Sequence, residues 1–324
     1  MAEPIEWRSA KLRATRDVSP DIRLFEIEPS GAFVAPAPGS HINVTVQIGA
    51  RPDTRSYSIV GSCADGIYRI AVKLLGGSRG GSAYMWNLAP GAHLTISTPG
   101  NHFPLSRGRP EYLLLAGGIG ITPVFTMALA LAEAGARFRL LYACRRRQDL
   151  AFADELRERI GDRLEVFLDE AGERVDLDAQ IARLAPEGEL YVCGPIGMLE
   201  AAKRAWRKSG RPVDRLRFET FGNSGRFASQ PFTVKIPRLG RELTVLQNQT
   251  MLDALEAAGI AMISDCRRGE CGLCALHILD VDGVVDHRDV FFSDDEKSEN
   301  GKLCTCVSRV AGTSITIDTA DRAA

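Results

Sequence analysis

Residues 265–274 read D-C-R-R-G-E-C-G-L-C, and this stretch decides how the rest of the chain is interpreted. Three cysteines, Cys266, Cys271 and Cys274, form a C-x4-C-x2-C run, and Cys304 follows about thirty residues later. Thiolate sulfur binds iron well, and a [2Fe–2S] cluster requires four thiolates, two on each iron. The sequence therefore predicts a [2Fe–2S] cluster held by these four cysteines.

The residues around the cysteines favour a cluster over the two alternatives, a structural zinc site and unpaired thiols. Zinc ligands usually come as two C-x2-C pairs, whereas the spacing here is that of plant-type ferredoxins. Gly269 and Gly272 would let the loop wrap tightly around an inorganic core. Arg267 and Arg268 add positive charge beside an anionic centre, and we expect this exposed loop to face the electron acceptor. The remaining cysteines, which we expect to be small buried core residues, are Cys63, Cys144, Cys193 and Cys306.

The bulk composition is that of an ordinary globular protein with two or three domains. The chain has 324 residues, of which 45% are hydrophobic and 25% charged, and its net charge is −1. This balance gives no broad electrostatic field for nucleic acid or membranes, and no apolar run is long enough to span a bilayer. The first residues, M-A-E-P-I-E-W, lack the features of a signal peptide. We therefore expect a cytoplasmic monomer that binds neither nucleic acid nor membrane.

Residues 1–107 are predicted to form a small antiparallel β-barrel. Apolar and polar residues alternate in short runs, Pro/Gly turns separate these runs, and one helical segment at 81–88 interrupts them. Strands are expected at residues 22–27, 41–46, 55–60, 68–74 and 93–97.

Two stretches of this barrel suit a flavin. In R-S-Y-S at 55–58, Arg55 can hold a phosphate, and Tyr57 lies on the same strand face, where it can pack against a flat ring. Ser58 offers a hydroxyl at the same place. In R-G-G-S at 79–82, main-chain N–H groups enter a helix and can bind an anion. Each stretch alone is weak evidence, but together they predict a flavin phosphate and ring site.

Residues 108–224 are predicted to form a parallel-sheet α/β domain of alternating strands and helices. The turn G-G-I-G-I-T-P at 117–123 joins a buried strand to an apolar helix, and C-G-P at 193–195 follows another strand. Both lie at carboxyl ends of strands, where such sheets bind ligands, although neither is the G-x-G-x-x-G fingerprint. Strands are expected at 112–116, 138–144, 164–168 and 189–192, and helices at 124–134, 151–160 and 198–209.

Residues 225–324 are predicted to form an α+β domain of the β-grasp type. A Gly- and Ser-rich stretch at 222–230 is typical of a linker. After a predicted hairpin, Thr250 can cap a helix that Gly259 ends. The cysteine loop and a closing strand at 314–317 complete this domain.

These motifs in this order resemble the phthalate dioxygenase reductase family, the class IA reductases of Rieske-type aromatic-ring oxygenases. The resemblance covers essentially the whole chain, and the ferredoxin domain at the C-terminal end is specific to this group. The motifs that carry it are R-S-Y-S at 55–58, A-V-K at 71–73, R-G-G-S at 79–82, N-H-F-P-L at 101–105, G-G-I-G-I-T-P at 117–123, C-G-P at 193–195, F-E-T-F-G at 218–222 and the cysteine set.

The resemblance implies FMN rather than FAD, NADH as the electron donor, and a ferredoxin-reductase-like NAD domain. It also implies that Phe221 shields the flavin ring and that no protein acid or base takes part in hydride transfer. The implied FMN-binding residues are Arg55, Ser56, Tyr57, Ser58, Ala71, Val72, Lys73, Gly80, Gly81 and Ser82. The implied nicotinamide-site residues are Gly118, Gly120, Thr122, Pro123, Cys193, Gly194 and Pro195.

The implied activity is electron transfer from NADH through FMN and the cluster to a Rieske-type dioxygenase or O-demethylase. Two alternatives remain, namely a reductase of the same build that serves a cytochrome P450 or another acceptor, and a redox sensor without NAD(P)H turnover.

The donor is the point at which this sequence departs from the simple pattern. Arg145, Arg146 and Arg147 follow the second strand of the α/β domain, where an acidic residue would bind the ribose of NAD and an arginine can bind the 2′-phosphate of NADP. We interpret them as a solvated basic turn, and we expect NADH to be the better donor.

Overall fold

The computed structural model describes residues 6–49, 51–76, 80–221, 225, 227–267 and 269–319 of the chain. These residues divide into two compact units, Met1–Glu219 and Thr220–Ala324. The first unit contains two sheets and the second contains one. The predicted limits of three domains, at residues 107 and 224, stay predictions.

The N-terminal sheet is antiparallel and has six strands in the order β4-β3-β6-β1-β2-β5. Its inward-facing residues, such as Ile42, Val44 and Ile70, alternate with outward-facing ones and form one buried core. The strands are β1 (Trp7–Ser19), β2 (Ile22–Pro29), β3 (His41–Ile48), β4 (Arg51–Ser58), β5 (Tyr68–Lys73) and β6 (His93–Ser97), and one short helix, α1, spans Gly81–Trp86. The end strands β4 and β5 approach each other at the bridge between Ile59 and Ile70.

The second sheet has five parallel strands in the order β11-β10-β7-β8-β9. Every residue of β7 and β10 is buried, as expected for central strands covered on both faces. The strands are β7 (Tyr112–Gly117), β8 (Phe138–Cys144), β9 (Leu164–Leu168), β10 (Glu189–Cys193) and β11 (Leu216–Glu219). The helices between them are α2 (Ile121–Glu133), α3 (Ala153–Ile160), α4 (Leu177–Arg183) and α5 (Ile196–Lys208).

The second unit is a mixed five-stranded sheet in the order β13-β12-β16-β14-β15, with helices beside it. Thr250 caps α6 as predicted, because its hydroxyl accepts a hydrogen bond from Asp253 N, and the Asp253 carboxylate completes a capping box. The strands are β12 (Phe232–Ile236), β13 (Arg241–Val245), β14 (Ala275–Asp286), β15 (Lys302–Cys304) and β16 (Arg309–Asp318), and the helices are α6 (Met251–Ala257) and α7 (Asp294–Glu299). No helix in the described part of the chain is long and apolar enough to cross a bilayer.

Candidate functional site

The residues predicted to bind the flavin lie on the two end strands of the N-terminal sheet and on helix α1. Arg55 and Tyr57 on β4 lie opposite Val44 and Ile42 of β3. Helix α1 is tied to β5 by a hydrogen bond of 3.0 Å from Trp86 Nε1 to the Val72 carbonyl. The structure therefore brings the R-S-Y-S, A-V-K and G-G-S motifs to one opening of the sheet.

Arg55 meets the requirement for an anion-binding residue at this opening. Its Nη1 pairs with Asp53 Oδ2 at 2.6 Å and donates to the Thr54 carbonyl at 2.8 Å. Its Nη2 is buried and has no hydrogen-bond partner among the described residues. A Cβ at Gly81 would lie 2.7 Å from Arg55 Nε, so the glycine makes room for the guanidinium. A buried N–H group without an acceptor is costly, and a flavin phosphate would satisfy it.

The neighbouring side chains divide between stacking and structural roles. Tyr57 is half-buried, and burial raises the pKa of its phenol, so it stays a neutral ring suited to stacking. Ser56 Oγ donates to Asn43 Oδ1 at 2.6 Å, and Lys73 Nζ pairs with Asp21 at 3.0 Å. Ser56 and Lys73 are thus partly engaged within the protein, which leaves Arg55 as the clearest phosphate ligand.

The two predicted nicotinamide loops contact each other through glycines. A Cβ at Gly120 would lie 2.1 Å from the Cys193 carbonyl oxygen, and one at Gly194 would lie 3.1 Å from Gly117 Cα. Because these contacts join main chain to main chain, no larger residue fits without separating the loops. The close approach places the carboxyl ends of β7 and β10 side by side, where parallel sheets bind ligands.

Several predicted nicotinamide-site residues support the loops from inside. Thr122 and Cys193 are buried, and Thr122 Oγ1 donates to the Ile119 carbonyl at 3.0 Å. Burial raises the pKa of the Cys193 thiol, so it is neutral. Gly118 is half-buried and Pro195 is exposed, so these two residues form the accessible surface of the loops. Contact with the nicotinamide stays a prediction for the whole set.

The three arginines after β8 are exposed, and one of them is paired within the turn. Arg146 binds the Asp149 carboxylate through Nε at 3.2 Å and Nη2 at 2.9 Å. Glu170 fixes the main chain, because its N–H donates to the Arg145 carbonyl and its carboxylate accepts from Arg147 N. This arrangement is that of a solvated basic turn.

In the cysteine loop, main-chain N–H groups already point at sulfur. The N–H groups of Glu270 and Cys271 each lie 3.4 Å from Cys266 Sγ. The pKa of the Cys271 thiol is lowered: burial acts to raise it, but hydrogen bonds from the main chain of Cys266 and Leu273 outweigh burial. Such donors stabilise thiolates, which are the form that binds iron.

A second group of sulfurs lies deeper in the unit. Hydrogen bonds from the Cys304 and Cys306 thiols lower the pKa of the Cys274 thiol to about 3. All three cysteines are buried, together with Phe292 and Val307. Cys274 therefore favours the thiolate form, with two cysteines beside it as candidates for the fourth ligand.

The surroundings of Cys304 and Cys306 differ. The segment of Cys306 lies against the cysteine loop, because a Cβ at Gly269 would be 2.6 Å from Cγ2 of the adjacent Val307. The main chain of Gly269 and the charge of Cys266 both act on the Cys306 thiol, so it faces the loop. Cys304 lies at the end of β15 opposite Ala275. The hydrogen bond with Cys274 and burial raise the pKa of both Cys304 and Cys306. The predicted ligand Cys304 stays a prediction, but these contacts favour Cys306, which the sequence analysis assigned to the core.

The sulfurs form two groups. Cys266 lies beside Cys271, and Cys274 lies beside both Cys304 and Cys306, either of which would complete a second pair. Among the residues that the structure describes, no three His, Cys, Asp or Glu side chains converge to hold a single metal ion. Two pairs of thiolates match the two irons of a [2Fe–2S] cluster.

Four other predicted positions remain, namely Arg267, Arg268, Arg79 and Phe221. Arg267 forms ion pairs with two carboxylates of helix α6, with Nη1 at 3.3 Å from Asp253 and Nη2 at 2.6 Å from Glu256. Part of its charge is therefore balanced within the second unit. Arg268 lies outside the described residues, as does Arg79 of the R-G-G-S motif. Phe221 belongs to the second unit, and its position beside the flavin ring stays a prediction.

Family models match the two domains that carry these sites. Residues 114–204 match an oxidoreductase NAD-binding domain, and residues 234–311 match a 2Fe-2S iron–sulfur cluster binding domain. The second match includes the whole cysteine loop and both candidates for the fourth ligand.

Two relatives are similar over nearly their full lengths. Tetrachlorobenzoquinone reductase of Sphingobium chlorophenolicum is 36% identical over 95% of this chain and 97% of its own. Phenoxybenzoate dioxygenase subunit beta of Ectopseudomonas oleovorans is 37% identical over 96% of this chain and 97% of its own.

Two solved structures share the domain arrangement along the sequence. Phthalate dioxygenase reductase, described as a modular structure for electron transfer from pyridine nucleotides to [2Fe–2S], matches with a TM-score of 0.74 and 31% identity, covering 96% of this chain and 98% of that one. Full-length CYP116B46 from Tepidiphilus thermophilus matches with a TM-score of 0.66 and 34% identity. The match covers 96% of this chain, which spans only 42% of that protein.

Fold, sites and likeness together define an NADH-dependent iron–sulfur flavoprotein reductase of an oxygenase system. The chain belongs to the phthalate dioxygenase reductase family. The predicted fold class is confirmed, as are the predicted enzyme class and the cofactor set of FMN, NADH and a [2Fe–2S] cluster.

Proposed function

We propose that the chain supplies electrons from NADH to a Rieske-type aromatic-ring oxygenase, either a dioxygenase or an O-demethylase. The observation that supports this acceptor is the full-length likeness to phthalate dioxygenase reductase and to a dioxygenase subunit. We also propose that the protein is a cytoplasmic monomer.

In this proposal the chain binds and positions its cofactors, and no side chain transfers a proton. Arg55 holds the flavin phosphate, Tyr57 packs against the ring, and Phe221 shields it. The glycine loops around Gly120 and Gly194 hold the nicotinamide. When bound there, the flavin would supply the exchange between a two-electron hydride donor and a one-electron cluster.

The decisive experiment combines the purified chain with purified terminal oxygenases. With a Rieske-type partner, NADH consumption should depend on the chain and should yield hydroxylated or demethylated product in proportion. The matched control is Cys266→Ser, which should keep NADH-dependent ferricyanide reduction, a flavin reaction, and lose oxygenase support. If the chain supports turnover of none of the Rieske oxygenases tested, the proposed acceptor is rejected.

A cytochrome P450 is the second candidate acceptor. It is favoured by the 34% identity of the chain to part of full-length CYP116B46. In the same assay, product formation with P450 enzymes and none with Rieske oxygenases would select this alternative.

Removal of Arg55 should weaken flavin binding more than removal of any other side chain at the opening. Arg55→Ala deletes the buried Nη2 that has no protein acceptor, and a charge-assisted hydrogen bond contributes about 1.5–3 kcal/mol. The Kd for FMN should therefore rise about tenfold to a hundredfold in a fluorescence titration of the flavin-free protein. Arg13→Ala, which removes an exposed arginine paired with Glu28 in the same sheet, is the control. Unchanged affinity in Arg55→Ala, or FAD as the natural flavin, would contradict this site.

NADH should be a better donor than NADPH by kcat/KM. Arg146 is paired with Asp149, and exposed Arg145 and Arg147 offer only weak, salt-screened attraction to a 2′-phosphate. The comparison uses both donors at low and moderate salt, for the wild type and Arg145→Ala. A wild-type preference for NADPH that collapses in Arg145→Ala would show that this arginine binds the 2′-phosphate.

A further inference from the structure

The stretch predicted as a linker is held against the second unit by two buried arginines. Arg288 Nη2 donates to the Phe227 carbonyl at 3.2 Å, and Arg288 Nη1 lies 3.4 Å from Ser229 Oγ. Arg309 Nη2 donates to the Gln230 carbonyl at 2.9 Å. Each contact joins the stretch to the second unit, so its described part is packed rather than free.

The first of these arginines belongs to a buried ion pair. Arg288 Nε and Nη2 both lie 2.7 Å from Asp286 Oδ2, and the two side chains are 7% and 1% exposed. The main chain of Gly225 lies directly over this pair, because a Cβ there would be 2.2 Å from Arg288 Nε and from Asp286 Oδ2. Only a residue without a side chain permits this approach. We call Gly225, Asp286 and Arg288 the clasp.

The clasp rests on the sheet of the second unit. Asp286 is the last residue of β14 and pairs with Arg309 of β16. Arg309 also donates to the carbonyl groups of Leu246, at 3.0 Å, and Gln249. Burial, with the charge of Arg288, lowers the pKa of Arg309 to about 10, which still leaves it charged at neutral pH. The anchor points are therefore fixed by strands with their own hydrogen bonds.

The clasp shortens the connection between the two units. The first unit ends with β11 at Glu219, and the clasp begins at Gly225, whereas the next strand begins at Phe232. A chain spans at most about 3.3–3.6 Å per residue, so the connection from Glu219 reaches roughly 20 Å to Gly225 and, once the clasp is lost and Gln230 is the next anchor, roughly 38 Å. The clasp thus shortens the chain that connects Glu219 to the sheet of the second unit.

We propose that the clasp sets the rate of electron transfer between flavin and cluster by limiting this reach, with Gly225 and Arg288 as positioning residues. This inference rests on the proposed function. Each NADH supplies two electrons, which cross to the second unit one at a time and leave it one at a time for the acceptor. Effective concentration falls roughly as the −3/2 power of tether length. Loss of the clasp should therefore slow the transfer about threefold.

The test introduces a side chain that the clasp cannot accommodate. Gly225→Val, in the full-length protein loaded with both cofactors, should increase amide hydrogen exchange in residues 227–231 and lengthen the maximum dimension measured by X-ray scattering. NADH-dependent cytochrome c reduction, which requires the second unit, should fall about threefold, whereas ferricyanide reduction should stay unchanged. Ala228→Val, at an exposed position of the same stretch, is the matched control and should change none of these.

The outcomes separate this inference from the proposed function. Faster amide hydrogen exchange in Gly225→Val with unchanged cytochrome c reduction would show that the length of the connection does not set the rate of electron transfer. Unchanged amide hydrogen exchange would show that the clasp does not hold this stretch. Arg288→Met should reproduce the effect of Gly225→Val, and failure to do so would also overturn the inference. A wild type that does not reduce ferricyanide with NADH would reject the proposed function instead.

Discussion

Cys306→Ala should abolish the [2Fe–2S] cluster, whereas Cys304→Ala should retain it. Cys306 lies near Gly269 of the cysteine loop and beside Cys274, as a ligand facing the loop would. Its removal leaves one iron with a single thiolate, and a [2Fe–2S] cluster requires two on each iron. Iron and acid-labile sulfide should fall from two each to none, and the rhombic EPR signal of the reduced protein should disappear.

Cys304→Ala is the control for Cys306→Ala, because both cysteines are buried and both changes remove one sulfur. NADH-dependent ferricyanide reduction should persist in both variants, which would show that the first unit is intact. If Cys306→Ala keeps the cluster and Cys304→Ala loses it, Cys304 is the fourth ligand, as predicted from the sequence. Stoichiometric zinc without labile sulfide in the wild type would reject a cluster altogether.

Gly120→Ala should reduce kcat/KM for NADH by about a hundredfold. The added methyl group would lie 2.1 Å from the Cys193 carbonyl oxygen and 2.9 Å from Gly194 N, so the two glycine loops must separate. Neither neighbour is a flexible side chain that can move away. A displacement of about 1 Å at a reacting pair can cost on the order of a hundredfold in rate. The measurement is steady-state ferricyanide reduction at varied NADH.

The control for this change is Gly197→Ala, in the first turn of α5. A Cβ there meets no atom within 4 Å, so NADH oxidation should match that of the wild type. Absorbance spectra should show full flavin and cluster content in both variants. A Gly120→Ala protein with wild-type kcat/KM would mean that the nicotinamide does not bind between these loops.

The sequence was most informative where chemistry restricts spacing. The cysteine run and the glycine turn after β7 were recognisable because a metal cluster and a close main-chain approach each require particular residues at particular positions. The strands of the parallel sheet were equally clear, since burial on both faces makes them continuous apolar runs.

Elements with weak periodicity were missed. Strand β1 buries only Ala10 and Leu12 completely, and register shifts interrupt its alternation, so its period of two is hidden. Helix α4 has seven residues, and β11 has four, of which the last two begin the F-E-T-F-G motif. Elements this short carry too few apolar positions to define a period.

Two features of the chain depend on tertiary contacts. Cys304 and Cys306 are two residues apart, so spacing alone cannot decide which sulfur faces the loop; the contact to Gly269 is needed. The Gly- and Ser-rich stretch at 222–230 has the composition of a free linker. Only the fold reveals Arg288 and Arg309, about sixty to eighty residues further along, as its partners.

The cysteine loop also carries a feature that bears on how the protein tolerates air. The ring of Phe291 presses against Gly272, so closely that a Cβ there would lie 2.3 Å from Cζ. An aromatic ring in direct contact with the main chain covers the loop on that side. We expect this contact to limit the loss of electrons to dioxygen as superoxide. Phe291→Ala should uncover the loop and increase wasteful peroxide formation.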